Sequence, residues 1–345
     1  MLHNDKVKRN NPSLEVKRKN SFTELWQAIQ VRDGCPDVGV IDVGAGNGLC
    51  PYLKYFPGFS HLYYFECDYR QVEQLSHQLK QADVATKTII QSALAQQSGS
   101  ASLCVTKSSQ NTSLLKPSSR FAERYRIRGL EPVELLDVSV RALDEFKFDH
   151  ISIVIKVDAQ GADLDILRGA SNLLAEKVDV VIVETCFTHI YENQPLFSDI
   201  VEYLSKFGLI FYGYLSNNHY STKLVNQYKV PTRERLVWTD SIFIKDPIEN
   251  RVEDVSKDKI IQLIVSLIAL EYFDLAFEIA LKYTPEFYGL ITHFVESQFS
   301  VNSESLRAEI LSTAHSISSD NAAWIACNLQ SRFSSYGVPS YLPKR

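Results

Sequence analysis

Short apolar runs alternate with amphipathic segments from residue 38 to about residue 245. The runs are VGVIDVG (38–44), LYYFEC (62–67), KTIIQSAL (87–94), ISIVIKVD (151–158), VDVVIVET (178–185), LIFYGYL (209–215) and DSIFIK (240–245). They are rich in Val, Ile, Tyr and Phe, and nearly continuous apolar strands are expected where a sheet is covered on both faces. Between them, 69–80 puts Val72, Leu75 and Leu79 at helical spacing, and 162–175 does so with Ile166, Leu167, Ala170, Leu173 and Leu174. Residues 196–207 repeat the pattern, with Pro195 near the first turn and Gly208 just past the end, the expected punctuation of a helix. Strands alternating with helices predict an α/β fold: a doubly wound, mostly parallel seven-stranded sheet built from right-handed βαβ units.

Three regions depart from this rhythm. Residues 95–140 hold ASLCVT (101–106), a polar Ser/Thr/Asn run and the basic stretch RFAERYRIRG (120–129). They read as an insertion carrying an extra strand pair and a flap over the sheet edge. Residues 1–20 read as a mobile arm with Lys6, Lys8, Arg9, Lys17, Arg18 and Lys19, followed by a helix whose capping box is Ser21 and Glu24. After residue 248 helical periodicity takes over, over 257–283 and 286–329, with almost no strand signal. The expected division is therefore an arm (1–20), a main domain (21–248) and an all-helical C-terminal domain (249–345).

Composition narrows the class. The chain has 345 residues, 45% hydrophobic and 22% charged, which is ordinary for a globular protein and excludes disorder. Lys and Arg number 36 against 41 Asp and Glu, a formal charge of −5, so a partner held through nucleic-acid phosphates is not expected. No apolar stretch approaches the roughly 18 residues of a membrane span, and the polar N-terminus lacks the apolar core of a secretory signal. The six cysteines show no C-x-x-C spacing, so neither a zinc site nor a disulfide framework is indicated, and a reduced cytoplasmic chain is the expectation.

The candidate chemistry begins at the first run, where Val40-Ile41-Asp42-Val43 leads into Gly44-Ala45-Gly46-Asn47-Gly48 and an expected helix over 49–55. Glycine admits positive φ and lets a ligand touch the backbone at a strand's carboxyl end. The dinucleotide fingerprint G-x-G-x-x-G would need its third Gly at position 49, which is Leu49. That disfavours an NAD-dependent oxidoreductase and suits a ligand without a pyrophosphate, S-adenosylmethionine being the main candidate. Glu66 closes the second strand, where a carboxylate accepts hydrogen bonds from both ribose hydroxyls. Asp42 is a candidate to anchor the loop amides or the cofactor's ammonium group, and Ser92 and Ala93 to border adenine.

A second group lies in IKVDAQGADLDILRGA (155–170). Lys156 and Asp158 share a face of a central strand, and burying either ion alone costs several kcal/mol, so they pair or face a cleft. Glu184 ends the next run and could complete a Lys156–Asp158–Glu184 cluster.

VIDVGAGNG, FECD, ALDEF, IKVDAQGADLDILRGA and VETCFTHIYENQPLFSDIVEYLSKFG, in this order, resemble the FkbM-type methyltransferases over roughly residues 38–245. The resemblance implies a class I, Rossmann-like S-adenosylmethionine-dependent methyltransferase and, by family habit, methylation of a hydroxyl on a sugar or secondary metabolite. Where the family often has Glu, this chain has Gln160, and Asp163 also stands where Glu is usual.

An aliphatic hydroxyl is a poor nucleophile, so methyl transfer to it calls for a base or a metal. Asp158 is the first candidate, then Glu184, and His189 by its intrinsic pKa. The strand-end carboxylates are compatible with Mg²⁺ without demanding it, and no metal ligands are assigned. Lys156, Gln160 and Tyr191 are candidates to shape the acceptor cleft, and Asn111 and Ser113 to close over the methionine end. Two functions follow: a methyltransferase, compatible with a homodimer, acting on a small-molecule or carbohydrate acceptor, or a non-catalytic nucleoside-binding scaffold whose helical tail mediates assembly.

Overall fold

In the computed structural model, which describes residues 12–81, 84, 86–224 and 232–299, the apolar runs become strands of one open sheet. Along the chain the strands are β1 (Val38–Val43), β2 (Ser60–Glu66), β3 (Lys87–Gln91), β4 (Ala93–Leu94), β5 (Gly99–Thr106) and β6 (Pro132–Arg141). They continue with β7 (Ile153–Val157), β8 (Val178–Cys186), β9 (Ile210–Tyr214), β10 (Asn218–Tyr220) and β11 (Arg235–Ile244). The helices are α1 (Pro12–Asp33), α2 (Tyr69–Gln81), α3 (Ser119–Tyr125), α4 (Asp163–Arg168), α5 (Ser171–Glu176), α6 (Phe197–Ser205), α7 (Lys257–Ala269), α8 (Phe273–Tyr283) and α9 (Tyr288–Phe299).

The main sheet has eight strands in the order β10-β11-β8-β7-β1-β2-β3, with β9 also on β11. β3, β2, β1, β7 and β8 run parallel, and β11 is antiparallel to β8, β9 and β10. The expected seven mostly parallel strands are thus eight mixed ones. A parallel pair needs a crossover, usually a helix, and the described chain between β9 and β11 contains none. β10, the polar segment Asn-His-Tyr, carries no apolar run to announce it. Every residue of β1, β7 and β8 is buried, which places the apolar core on both faces of the sheet centre. The strand order reverses between β1 and β7, and such a switch point opens a crevice beyond the strands' carboxyl ends.

Two helical expectations change. Residues 49–55 form no α-helix: the chain advances by single 3₁₀ turns at Ala45–Asn47, Pro51–Leu53 and Phe56–Gly58. Pro51 and Pro57 each lack the amide that an α-helix would use. The segment expected as one helix over 162–175 breaks at Gly169 into α4 and α5. The insertion folds as a second sheet, β4-β6-β5, with β5 and β6 antiparallel.

Contacts divide the chain into residues 37–253 and a second unit made of residues 1–36 with 254–345, in place of boundaries at 20 and 248. α1 already starts at Pro12, so 12–20 are not an arm and Ser21 is not a cap. Lys and Arg are good helix formers, and a basic run continues a helix as readily as it frays. Within that second unit Phe22 meets Phe294 edge-on at 4.7 Å, and Lys257 bridges Asp33 at 2.7 Å and Glu286 at 3.1 Å. Expectations for residues 1–11 and for the helical stretch beyond 299 lie outside the described residues. No helix among the described residues is long and apolar enough to cross a membrane.

Candidate active site

The end of β1 is stitched to both neighbours: the Gly44 amide donates to the Phe65 carbonyl at 3.0 Å, and the Asp158 amide donates to the Val43 carbonyl at 3.1 Å. Gly44 has φ 77°, and a Cβ there would sit 2.0 Å from the Asp158 carbonyl oxygen. Only glycine combines that dihedral with that approach. Gly46 is held against the neighbouring strand end, because a Cβ on it would lie 2.8 Å from Glu66 Oε2 and would collide with the Gln71 side chain. Loop, β2 tip and β7 tip therefore meet at one place.

Glu66 is buried, and its Oε1 accepts from the Asp68 amide at 2.9 Å. Burial pushes its carboxyl up, opposed by hydrogen bonds from the backbone of Asp68, Cys67 and Gly46. Among the described residues it forms no ion pair. Asp68 behaves oppositely: Arg70, at 2.6 Å, holds it below the usual carboxylate range.

A crevice with about 750 Å³ of empty space, its open mouth included, lies over this junction. Its lining comprises Val43, Gly44, Phe65, Glu66, Cys67, Asp68 and Gln71 with Ser92, Ala93, Leu94 and Leu103, then Ser109, Gln110, Thr112, Ser113 and Leu114, and Asp158, Ala159, Gln160, Ala162 and Ile166. Gly44, Glu66, Ser92, Ala93, Asp158, Gln160 and Ser113 are thus brought together as the sequence suggests. Ala45, Gly46 and Gly48 fall outside the lining, Gly46 touches Glu66, and the Asn47 side chain lies outside what is described. Thr112 lies in the 111–113 stretch expected to close over the methionine end, Asp68 in FECD and Leu103 in ASLCVT, whereas Ser109, Gln110, Leu114 and Gln71 had no specific signal in the sequence.

Asp42 is not in the crevice. It is 1% exposed and faces Lys156 Nζ at 3.2 Å, its register partner on β7. Its charge is taken up inside the sheet, which corrects the expectation that it reaches the loop amides or a cofactor ammonium. Lys156 also reaches Asp158 Oδ2 at 3.5 Å. Burial alone would lower the Lys156 ammonium, but Asp42 and Asp158 outweigh it and hold it above its ordinary value. Burial raises Asp42, with Lys156 opposing. Lys156 is therefore an internal counter-ion and not a cleft residue.

Glu184 is buried beside this group and pairs in register with Asp240 on β11. Burial, then Asp158, Asp163 and Asp240, push its carboxyl well above the usual range. Asp240 is fixed by two donors on one oxygen, Tyr52 at 2.9 Å and Ser216 at 2.7 Å.

Beyond β7 the chain turns through Gln160 (φ 53°) and Gly161 (φ 97°). Gln160 Nε2 donates to Asp158 Oδ1 at 2.8 Å, and Tyr191 Oη donates towards Gln160 Oε1 at 2.9 Å and the Asn111 carbonyl at 3.0 Å. Ser113 Oγ donates to the Gln160 carbonyl at 2.7 Å. Tyr191 is wholly buried, so it braces the cleft rather than lining it, and Asn111 contributes its carbonyl from behind. His189 is exposed and absent from the lining. It is not placed to act as a base: the chain turns after β8 so that the neighbouring Ile190 and Tyr191 go inward. Among the described residues no group of three or more His, Cys, Asp or Glu is arranged to hold a metal ion.

Residues 42–211 match the family model described as the methyltransferase FkbM domain. No curated protein matches the chain. Similar solved structures include a magnesium protoporphyrin IX methyltransferase from Synechocystis with bound S-adenosylmethionine (12% identity, 67% of this chain and 80% of that one, TM-score 0.33). Others are a precorrin-6y C5,15-methyltransferase from Geobacter metallireducens (12%, 66% and 87%, TM-score 0.31) and an rRNA methylase from Streptococcus thermophilus (9%, 66% and 93%, TM-score 0.31).

Proposed function

Residues 42–211 are a methyltransferase FkbM domain, and from that premise we propose that the protein is an S-adenosylmethionine-dependent O-methyltransferase of class I fold, acting on a hydroxyl of a sugar or related small metabolite. The observation that carries the reading is Glu66: a buried carboxylate lining the crevice with no ion pair among the described residues. An ionised carboxylate accepts up to about four hydrogen bonds, and a ribose diol supplies two neutral donors. Glu66 would hold that diol, Ser92, Ala93, Leu103 and Ile166 the base, and Gly44 with the flap the methionine end.

When bound, the cofactor supplies an activated methyl group on a sulfonium. The chain must exclude water, align the acceptor and remove its proton. Asp158 is the base on this reading, because it is the one carboxylate of the Asp158–Glu184–Asp240 row that lines the crevice. Glu184, whose carboxyl is pushed well above the usual range by burial and by its acidic neighbours, stays behind the lining.

Titration calorimetry tests the reading. The protein should bind S-adenosylmethionine and S-adenosylhomocysteine, and Glu66→Ala should weaken both by about tenfold to a hundredfold, the worth of hydrogen bonds to a charged group. Folded wild-type protein that binds neither ends the proposal.

A further inference from the structure

We propose that Gln160 is a positioning residue: its side-chain amide aims the Asp158 carboxylate and, through Tyr191, holds residues 109–114 closed over the crevice. The inference rests on the crevice being the methyl-transfer site, and its test is separable from that reading.

Gln160 occupies the left-handed region at φ 53°, which costs a non-glycine residue on the order of 1 kcal/mol. The turn would form more easily with glycine, so the side chain has to offset that cost. It does so with two bonds, and the backbone carbonyl adds a third. The amide nitrogen donates to Asp158 Oδ1 at 2.8 Å, and the amide oxygen accepts from Tyr191 at 2.9 Å. The backbone carbonyl accepts from Ser113 at 2.7 Å. Tyr191 in turn reaches the Asn111 carbonyl at 3.0 Å, so the 111–113 stretch is tied to Gln160 directly at Ser113 and through Tyr191 at Asn111.

The network is matched to a proton moving on and off Asp158. With Asp158 ionised, the amide nitrogen faces it, and the single Tyr191 proton is shared between Gln160 Oε1 and the Asn111 carbonyl. Once Asp158 carries a proton, the amide turned end for end accepts from Asp158 and donates to the Tyr191 oxygen. The Tyr191 proton then goes wholly to Asn111. Glutamine satisfies both states because it is donor and acceptor at once; glutamate cannot. The other groups around this carboxylate are Lys156 on its own strand, Asp42 on β1, Asp163 on α4, Glu184 and Cys186 on β8, and Asp240 on β11. Lys156 is the one cation among them.

Amide hydrogen exchange of peptides spanning 109–117, corrected for intrinsic rates, reads the closure without knowledge of the acceptor. In wild-type protein protection should stay level between about pH 5.5 and about pH 8.5. In Gln160→Glu two carboxyls face each other; they share a proton at the acid end and repel once both ionise, so protection should fall about tenfold across that range. Gln160→Gly relieves the backbone strain, so its thermal midpoint should not drop, yet it should lose protection at every pH. If both variants keep wild-type protection throughout, the proposal is overturned. S-adenosylhomocysteine titrated into wild-type protein separates the two claims: binding with unaltered exchange in the variants removes Gln160 only, whereas absent binding removes the methyltransferase reading and leaves the clasp to its own result.

Discussion

Asp163 shows how one side chain shapes the site without lining it. Its two oxygens accept from the Ala159 amide at 2.8 Å and the Gly161 amide at 2.9 Å, clamping the left-handed turn that presents Gln160. Burial pushes its carboxyl up to about 6, with the two amides opposing and Asp158 adding. The folded state therefore binds a proton more tightly than the unfolded chain. The stability this contributes is present below about pH 4 and lost as pH rises through about 6. Asp163→Asn, which does not titrate, should be less stable at acid pH because one amide loses its acceptor. Its deficit should shrink between about pH 4 and about pH 6, by on the order of 1.4 kcal/mol for each pH step of one. Urea denaturation at a series of pH values checks this; a deficit independent of pH would show that Asp163 titrates as it does in the unfolded chain. The motif that contains Asp163 is plain in the sequence. Its job as a clamp is not, because that job exists only once residues 160–161 take positive φ.

The elements most legible in the sequence are those whose hydrophobic period decides them. β1, β2, β7 and β8 follow from continuous apolar runs, and α2 and α6 from helical spacing. The helix break at Gly169 does not, because its cause is distant. A Cβ at Gly169 would come within 2.3 Å of the Ala95 carbonyl, and the Gly169 carbonyl accepts from the Asp144 amide at 2.8 Å. The Asp144 carboxylate then caps α5 from another part of the chain, taking the amides of Asn172 at 2.9 Å and Leu173 at 3.0 Å. Local pattern sees an uninterrupted amphipathic stretch, whereas tertiary bonding makes two short helices. The same limit hides β10, whereas the 3₁₀ steps over 49–55 have a local cause in Pro51 and Pro57. Asp144→Ala should cost about 1–2 kcal/mol, the worth of a helix cap, read as a lower urea midpoint with an unchanged slope. A change under a few tenths of a kcal/mol would show that α5 does not depend on this remote cap.

At the scale of the whole molecule, the family match and the crevice both fall within residues 37–253, and the chemistry sits where the central strands converge. Adjacent register positions on β1 and β7 place Asp42 against Lys156 in the most buried part of the sheet, directly beneath the carboxylates at the strand ends. Spacing alone revealed that Lys156 must be compensated and offered Asp158, which it reaches at 3.5 Å, but it put Glu184 as the third member where the structure supplies Asp42, because strand order cannot be read from one strand. The ammonium lies between Asp42 and Asp158, and burying it with Asp42 costs desolvation that these contacts offset. Lys156→Met should therefore destabilise the protein by about 3–5 kcal/mol, since it leaves Asp42 charged and alone. Asp42→Asn in the same background should recover much of that loss, giving a coupling of about 2 kcal/mol in a double-mutant cycle measured by urea denaturation. The Lys156→Met deficit should also narrow on acidification, as Asp42 takes up a proton and no longer needs a cation. Two losses that simply add, with no dependence on pH, would mean that the ions do not compensate each other and that Lys156 has some role other than charge neutralisation at the sheet centre.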